Sequence, residues 1–372
     1  MNDPSIPSFA RPTFLAAALL LAVSASAATS YWDTSATAGL QSGDGTWGVD
    51  NFWSATTAGT SLGAWSSGNV AEFRTQSYLS NTVTVSGSQV ISGMTFTSAI
   101  NGPADWRFQG TGDLVLGAGS TIVNTGNGKV TIDSTISGSK MLTVSSSSAG
   151  RLILTGMNTY TGGTNVESGT LQVDGRVAGQ TTALLGGNLT GSGVFGDVLV
   201  ADKGSLNAGT PQSVGTMTMD TLTLHGGATV YWDLANAVAA AGSGYDRLNV
   251  LGRIDLGGLS LGSKLKLALV GNPLVFDATK SARFAVFVYG SLSVGFNAGF
   301  SDMVTFDTSG LKDGSGASVA ADRFTLIDNA ATKTLDLVYT APIPEPSTYG
   351  LGLGALGLAI AMVRRRRAQR AV

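Results

Sequence analysis

The stretch AGRLILTGMNTYTGGTNVESGTLQVDG, residues 149–175, governs the reading of everything around it. Leu152 and Leu154 alternate with Arg151 and Ile153, and Leu171 and Val173 alternate with Thr170 and Gln172. A two-residue period bounded by turn residues marks a strand with one buried face. Gly156 closes the first strand and Gly169 precedes the last. Between them Asn158-Thr159-Tyr160-Thr161-Gly162-Gly163 reads as a corner closed by an Asx-type turn, with glycine supplying backbone angles that other residues avoid.

The same alternation recurs in TVTVSG (82–87), DLVLGAG (113–119), KVTIDS (129–134), MLTVSS (141–146), DVLVADKG (197–204) and TLTLHGG (221–227). Only AVAAAG (237–242) leans towards helix. With 51 glycines in 372 residues and 12% charged residues, the composition suits short strands and tight turns. Cysteine is absent, so disulfides cannot hold the fold. Three all-β architectures compete: sandwich, closed barrel and solenoid. A sandwich of this length would have to divide, and no linker divides it. A solenoid accounts for the length, because each coil buries its apolar face only against the next.

Residues 149–175 resemble the autotransporter-associated β-strand repeat, close to L-x-L-x-G-x-N-T-Y-T-G-G-T-x-V-x-x-G-T-L-x-V. Leu152, Leu154, Gly156, Asn158, Thr159, Tyr160, Gly162, Gly163, Gly169 and Leu171 stand at pattern positions, with Met157 in a free slot. The resemblance implies a right-handed parallel β-helix. It extends to residues 204–234, where Ala208 replaces the usual proline, and to the strand pair YDRLNVLGRIDLGG (245–258). Upstream, residues 31–73 resemble the aromatic-rich opening of such proteins. Trp32, Trp47, Trp53 and Trp65 there are expected to plug the coil's open end rather than stack on carbohydrate. RFAVFVYGSL (283–292) and RFTLIDNAATKTLDLVYT (323–340) read as closing hairpins.

Both ends carry addresses. Arg11, the apolar run Phe14–Val23 and the Ala25-Ser26-Ala27 tripeptide read as a secretory signal (1–27) cut after Ala27, implying the Sec translocon and signal peptidase. At the other end Pro344-Glu345-Pro346 precedes an apolar run (349–363) and the stop-transfer cluster Arg364, Arg365, Arg366 and Arg367 within a basic tail, 364–372. A helix of that run is about 22 Å long, short for a bilayer core of about 30 Å. It suits brief residence in the membrane. This end (342–372) resembles the PEP-CTERM sorting signal, which implies recognition by a membrane-embedded exosortase. Residues 352–357 also match G-x-G-x-x-G, but without a strand before them the match carries no nucleotide site.

The intervening 28–341 reads as one ectodomain with 22 acids and 16 bases, a net charge of −6 that offers no footprint for nucleic acid. His225, the one histidine, reads as a solvated turn residue. No cofactor, metal or catalytic residue is assigned. Asp197 with Asp202, or Asp302 with Asp307, are candidate carboxylate pairs for glycan chemistry, with Arg253 or Lys266 as a basic partner. Residues 242–248 brush against a calcium nonapeptide that needs stacked copies they lack. Two functions follow. The first is a non-catalytic surface or matrix protein that passes through the inner membrane of a Gram-negative-type bacterium and engages exopolysaccharide. The second is a polysaccharide-active β-helix enzyme with the same tail. A self-transporting autotransporter is disfavoured, because RRRRAQRAV stands where barrel strands are expected.

Overall fold

Arg151–Leu154 forms a strand and is paired in parallel on both edges, with Lys129–Ile132 before it and residues 170–173 after it. That arrangement repeats through the molecule. A computed structural model describes residues 27–342 except 76–78, 99–104, 125–127, 147–149, 211–212, 272–275 and 294–300. The expected signal and sorting tail therefore lie outside the described residues, apart from Ala27 and Pro342.

Among the described residues the fold is all-β, with two single-turn 3-10 segments, Ser301–Met303 and Ala321–Arg323. No described helix is long and apolar enough to cross a membrane. AVAAAG (237–242) forms turns, not helix, and Val238 is 94% exposed there. Its alanines are at most partly buried, too little apolar surface to repay helix nucleation.

One turn of the coil uses three short strands. Residues 164–166 lie on a third wall, 169–173 on a first, Arg176–Val177 on a second, and Thr181–Ala183 return to the third. Thr164–Val173 bends from one wall to the next at Gly169, whose φ of 74° is open to glycine. Along the first wall Trp106, Val130, Leu152, Leu171, Leu189, Leu206, Val230 and Leu267 occupy one register column, all buried. On the third wall Met94, Ile122, Val144, Val166, Ala183, Val200 and Leu224 do the same. Each such aliphatic side chain contributes about 1.5–3 kcal/mol by burial.

Parallel sheets usually read as unbroken apolar runs because both faces are covered. Here the outer face meets water, so Arg151–Leu154 and Arg247–Val250 show the half-buried alternation. That is why a parallel fold reads like an antiparallel one.

The coil is tight in the middle and loose towards the C-terminus. Leu152, Leu171, Leu189 and Leu206 are successive column partners 19, 18 and 17 residues apart. From Leu206 to Val230, Leu267 and Phe306 the steps are 24, 37 and 39 residues.

Both ends are closed. Trp32, Trp47 and Trp53 are at most 3% exposed, and Trp65 packs against Trp47 and Trp53 at 4.9 and 4.5 Å between ring centroids. Phe73 and Phe108 continue this aromatic plug into the coil. At the far end Phe324–Asn329 and Thr334–Tyr339 form the expected antiparallel hairpin, and the latter docks antiparallel on Ala282–Val288. Residues 283–292 are not a hairpin. Ala282–Val288 and Ser291–Leu292 run parallel to the previous turn, as consecutive strands of two walls. The alternating pattern of 283–292 could not distinguish a reversal from a corner.

Candidate functional site

The repeat's corner is built for stacking. Asn158 is 2% exposed. Its Oδ1 accepts from the backbone N–H of Ile136 at 2.9 Å, and its Nδ2 donates to the carbonyls of Gly156 (3.1 Å) and Arg176 (3.0 Å). One side chain therefore ties its own turn to the turns before and after. This replaces the expected Asx-type turn, because the nearest unpaired donor belongs to the neighbouring coil. The N–H groups of Thr159 and Thr161 likewise donate to Ile136 and Gly138. Tyr160 is fully buried and its hydroxyl meets Thr164 Oγ1 at 2.6 Å. Burial pushes its pKa up to about 12. A Cβ on Gly162 would fall 2.2 Å from the Lys140 carbonyl carbon, and Gly163 has a φ of 80°. Leu152, Leu154 and Leu171 point inward, and Gly156 abuts the Ser134 carbonyl.

The acids considered for catalysis are occupied separately. Asp197 accepts from the Thr221 hydroxyl at 2.6 Å. Asp202 tucks against Gly227, where a side chain would collide with its Oδ1. Asp302 lies in the Ser301–Met303 turn. Asp307 meets Lys266 Nζ at 2.7 Å, and that ammonium with Ser309 holds its pKa down to about 2. Arg253 pairs with Asp255 at 2.8 Å. The Gly257 N–H and the Ser293 hydroxyl, then Arg253, hold Asp255 below the usual carboxylate range. His225 sits nearby at an exposed corner, its N–H donating to Val200. Ser293 donates to the carboxylate of Asp255 itself at 2.9 Å, which is not the serine-to-imidazole order of a nucleophilic triad. Among the described residues no group of three or more His, Cys, Asp or Glu is placed to hold a metal.

One cleft of about 460 Å³ opens between residues 276–279 and 313–315. Its carboxylates are satisfied by their own loops. Asp277 is held down to about 2 by the Thr279 hydroxyl, then Lys280, and Asp313 is lowered first by Ser315.

Sequence reasoning missed Asp246, which it met only as a weak calcium candidate. It is 2% exposed, and its two carboxylate oxygens accept the backbone N–H groups of Gly215 (2.8 Å) and Asp233 (2.9 Å). The indole N–H of Trp232 donates to its carbonyl at 3.0 Å. Burial pushes the Asp246 pKa up to about 8, with the nearby Asp233 charge adding to the rise. The available signal was an acid directly before the strand RLNV, where a long loop returns to the coil.

Comparison with known proteins agrees with this architecture. Residues 147–173 match the passenger-associated-transport-repeat family. A 183-residue stretch is 33% identical to the adhesin BmaC autotransporter of Brucella suis biovar 1 (strain 1330), taking in 47% of this chain and 5% of the adhesin. Residues 342–367 match the PEP-CTERM protein-sorting motif. The chain thus joins a passenger-type repeat, within a stacked parallel coil, to a PEP-CTERM sorting motif at its C-terminal side.

Proposed function

We propose that this is a non-catalytic exported protein of the bacterial surface or extracellular matrix, with a structural or adhesive role in the envelope or biofilm. In this reading residues 1–27 direct export through the Sec translocon and are removed by signal peptidase. Residues 28–341 form a right-handed β-helix, and residues 349–363 hold the chain in the inner membrane until an exosortase acts near Pro344-Glu345-Pro346. The observation that carries the reading is the sorting-motif match at 342–367, placed directly after a closed coil. Similarity to an autotransporter adhesin supports the surface role.

The polysaccharide-active alternative gains no support from the acids, since Asp197, Asp255 and Asp307 each serve a local hydrogen bond or ion pair. Mass spectrometry of the C-terminal peptide from the native host tests the proposal. A mature chain ending near residues 344–346 is expected. An intact arginine tail on protein recovered outside the cell would overturn it. Deletion of the gene is expected to weaken surface attachment or matrix cohesion without loss of any glycan-degrading activity.

A further inference from the structure

We infer that Tyr231 and the Lys266–Asp307 ion pair form a glycan-binding subsite on the outer face of the first wall, taking an uncharged sugar unit of a surface or matrix polysaccharide. The inference rests on the adhesive reading above and gives it a place on the coil.

Tyr231 follows Val230, which belongs to the buried column of the first wall, and so points outward, where it is 39% exposed. The other described aromatic side chains are buried or half-buried. Packing does not account for the exception. The cross-strand partners of Tyr231 are Asn207 and Ala268, and neither offers an apolar surface large enough to pair with a ring. Asn207 is turned to Asp233 instead, its Nδ2 donating to Oδ2 at 3.2 Å. Ala268 carries only a methyl group, so it adds little bulk between the ring and the next strand. Asp307 follows in the same outer column, two strands and about 9.5 Å from Tyr231 between Cα atoms. Its carboxylate meets Lys266 Nζ at 2.7 Å, with both side chains partly exposed. Thr229 and Thr305, the cross-strand partners of Lys266, add hydroxyl groups to the same face.

This set puts an apolar ring beside a hydrogen-bonding pair of opposite charges. A pyranose carries the matching surfaces. Its C–H face packs on an aromatic ring, and its hydroxyls donate to a carboxylate and accept from an ammonium. Charge disfavours other occupants. Lys266 and Asp307 neutralise each other, so an ionic polymer gains no net attraction here. A wholly apolar partner would strip water from both ions without replacing their hydrogen bonds. The Lys266 ammonium and then Ser309 keep Asp307 ionised down to about pH 2, so its acceptor role persists in any ordinary medium.

The test uses the full chain purified in detergent and the host's own matrix polysaccharide, split by anion exchange into an uncharged and an acidic fraction. Calorimetric titration is expected to show binding of the uncharged fraction, with an affinity that does not change from low to high salt. Tyr231→Thr suits a strand but removes the ring, and should weaken that binding about tenfold. Tyr231→Phe keeps the ring and should stay within about twofold of the parent. Asp307→Asn should weaken binding about fivefold and let the acidic fraction bind, because Lys266 loses its partner. A thermal midpoint close to the parent's separates loss of the subsite from unfolding. If Tyr231→Thr does not fold, Asp307→Asn decides. Parent-like affinity in the deciding variant, or binding of the acidic fraction alone by the parent, overturns the subsite and leaves the adhesive reading standing. Binding of neither fraction by the parent overturns the subsite and adhesion to polysaccharide together, while the mass-spectrometric test of sorting is unaffected.

Discussion

The turns through Leu152, Leu171, Leu189 and Leu206 and those through Val230, Leu267 and Phe306 share one register column but are held by different means. In the tight part nearly every residue is strand or corner, and at some corners the backbone of the preceding turn leaves no room for a side chain. A Cβ on Gly187 would fall 2.2 Å from the Val166 carbonyl oxygen, and one on Gly191 2.1 Å from that of Val173. In the loose part long loops leave the coil and must be fastened where they return, as Asp246 fastens residues 235–245 by accepting one backbone N–H from Gly215 in the preceding turn and one from Asp233 at the loop's start. Coil register can thus be enforced by exclusion or by a buried polar pin.

The largest expected effect breaks or confirms the first half of that contrast. Gly191→Ala places a methyl group against a carbonyl at a φ of 116°, and should cost about 3–4 kcal/mol. Gly186→Ala, with φ 83° but open space around it, should cost only about 1 kcal/mol. Urea unfolding of both decides; equal losses would show that crowding at the corner does not set the register. Next, Asp246→Ala strands two buried donors and should cost about 2–4 kcal/mol, with loss of protection from hydrogen exchange concentrated at Gly215 and Asp233.

Acidity sharpens the same comparison. Because the folded Asp246 pKa is raised to about 8, its contribution is fully present below about pH 4 and is lost as pH rises through 8. Asp307, lowered to about 2, acts in the opposite sense and in a separate window: its contribution is present above about pH 4 and fades as pH falls towards 2. The denaturant midpoint should therefore fall between pH 5 and 9 in the parent and fall less in Asp246→Asn.

A smaller effect tests the seam between the two regimes. Gly186, Lys203 and Gly227 stack at one corner, with the Gly186 N–H donating to Lys203 and the Lys203 N–H to Gly227. All three have left-handed backbones, and Lys203 alone carries a side chain, at φ 60°. Lys203→Gly should stabilise by up to about 1 kcal/mol, read as a rise in thermal midpoint.

The strands, the tryptophan plug and the final hairpin were legible in the sequence because each depends on local alternation or on a cluster of one residue type. Asn158 was recognised as a corner residue, yet its partners Ile136 and Arg176 are 22 and 18 residues away, and only the coil brings them together. Asp246 was harder still, since Gly215 lies 31 residues off across an irregular loop. Strand direction was invisible over 283–292, because parallel and antiparallel strands with one wet face share the same alternation. The candidate site was read as motif residues; the structure shows Asn158 and Tyr160 among them serving as joinery within and between turns.

The ladder bonds run along the coil's length, and the chain enters at one end and leaves at the other. Tension between the two ends therefore loads successive turns in series and opens them one at a time from the pulled end. Each of the last two long turns would release about 120–140 Å of slack, and each tight one about 55–70 Å. Optical-trap stretching should show a staircase whose large steps come first when the pull is applied beyond Ala341. A single all-at-once rip would be inconsistent with turn-by-turn yielding.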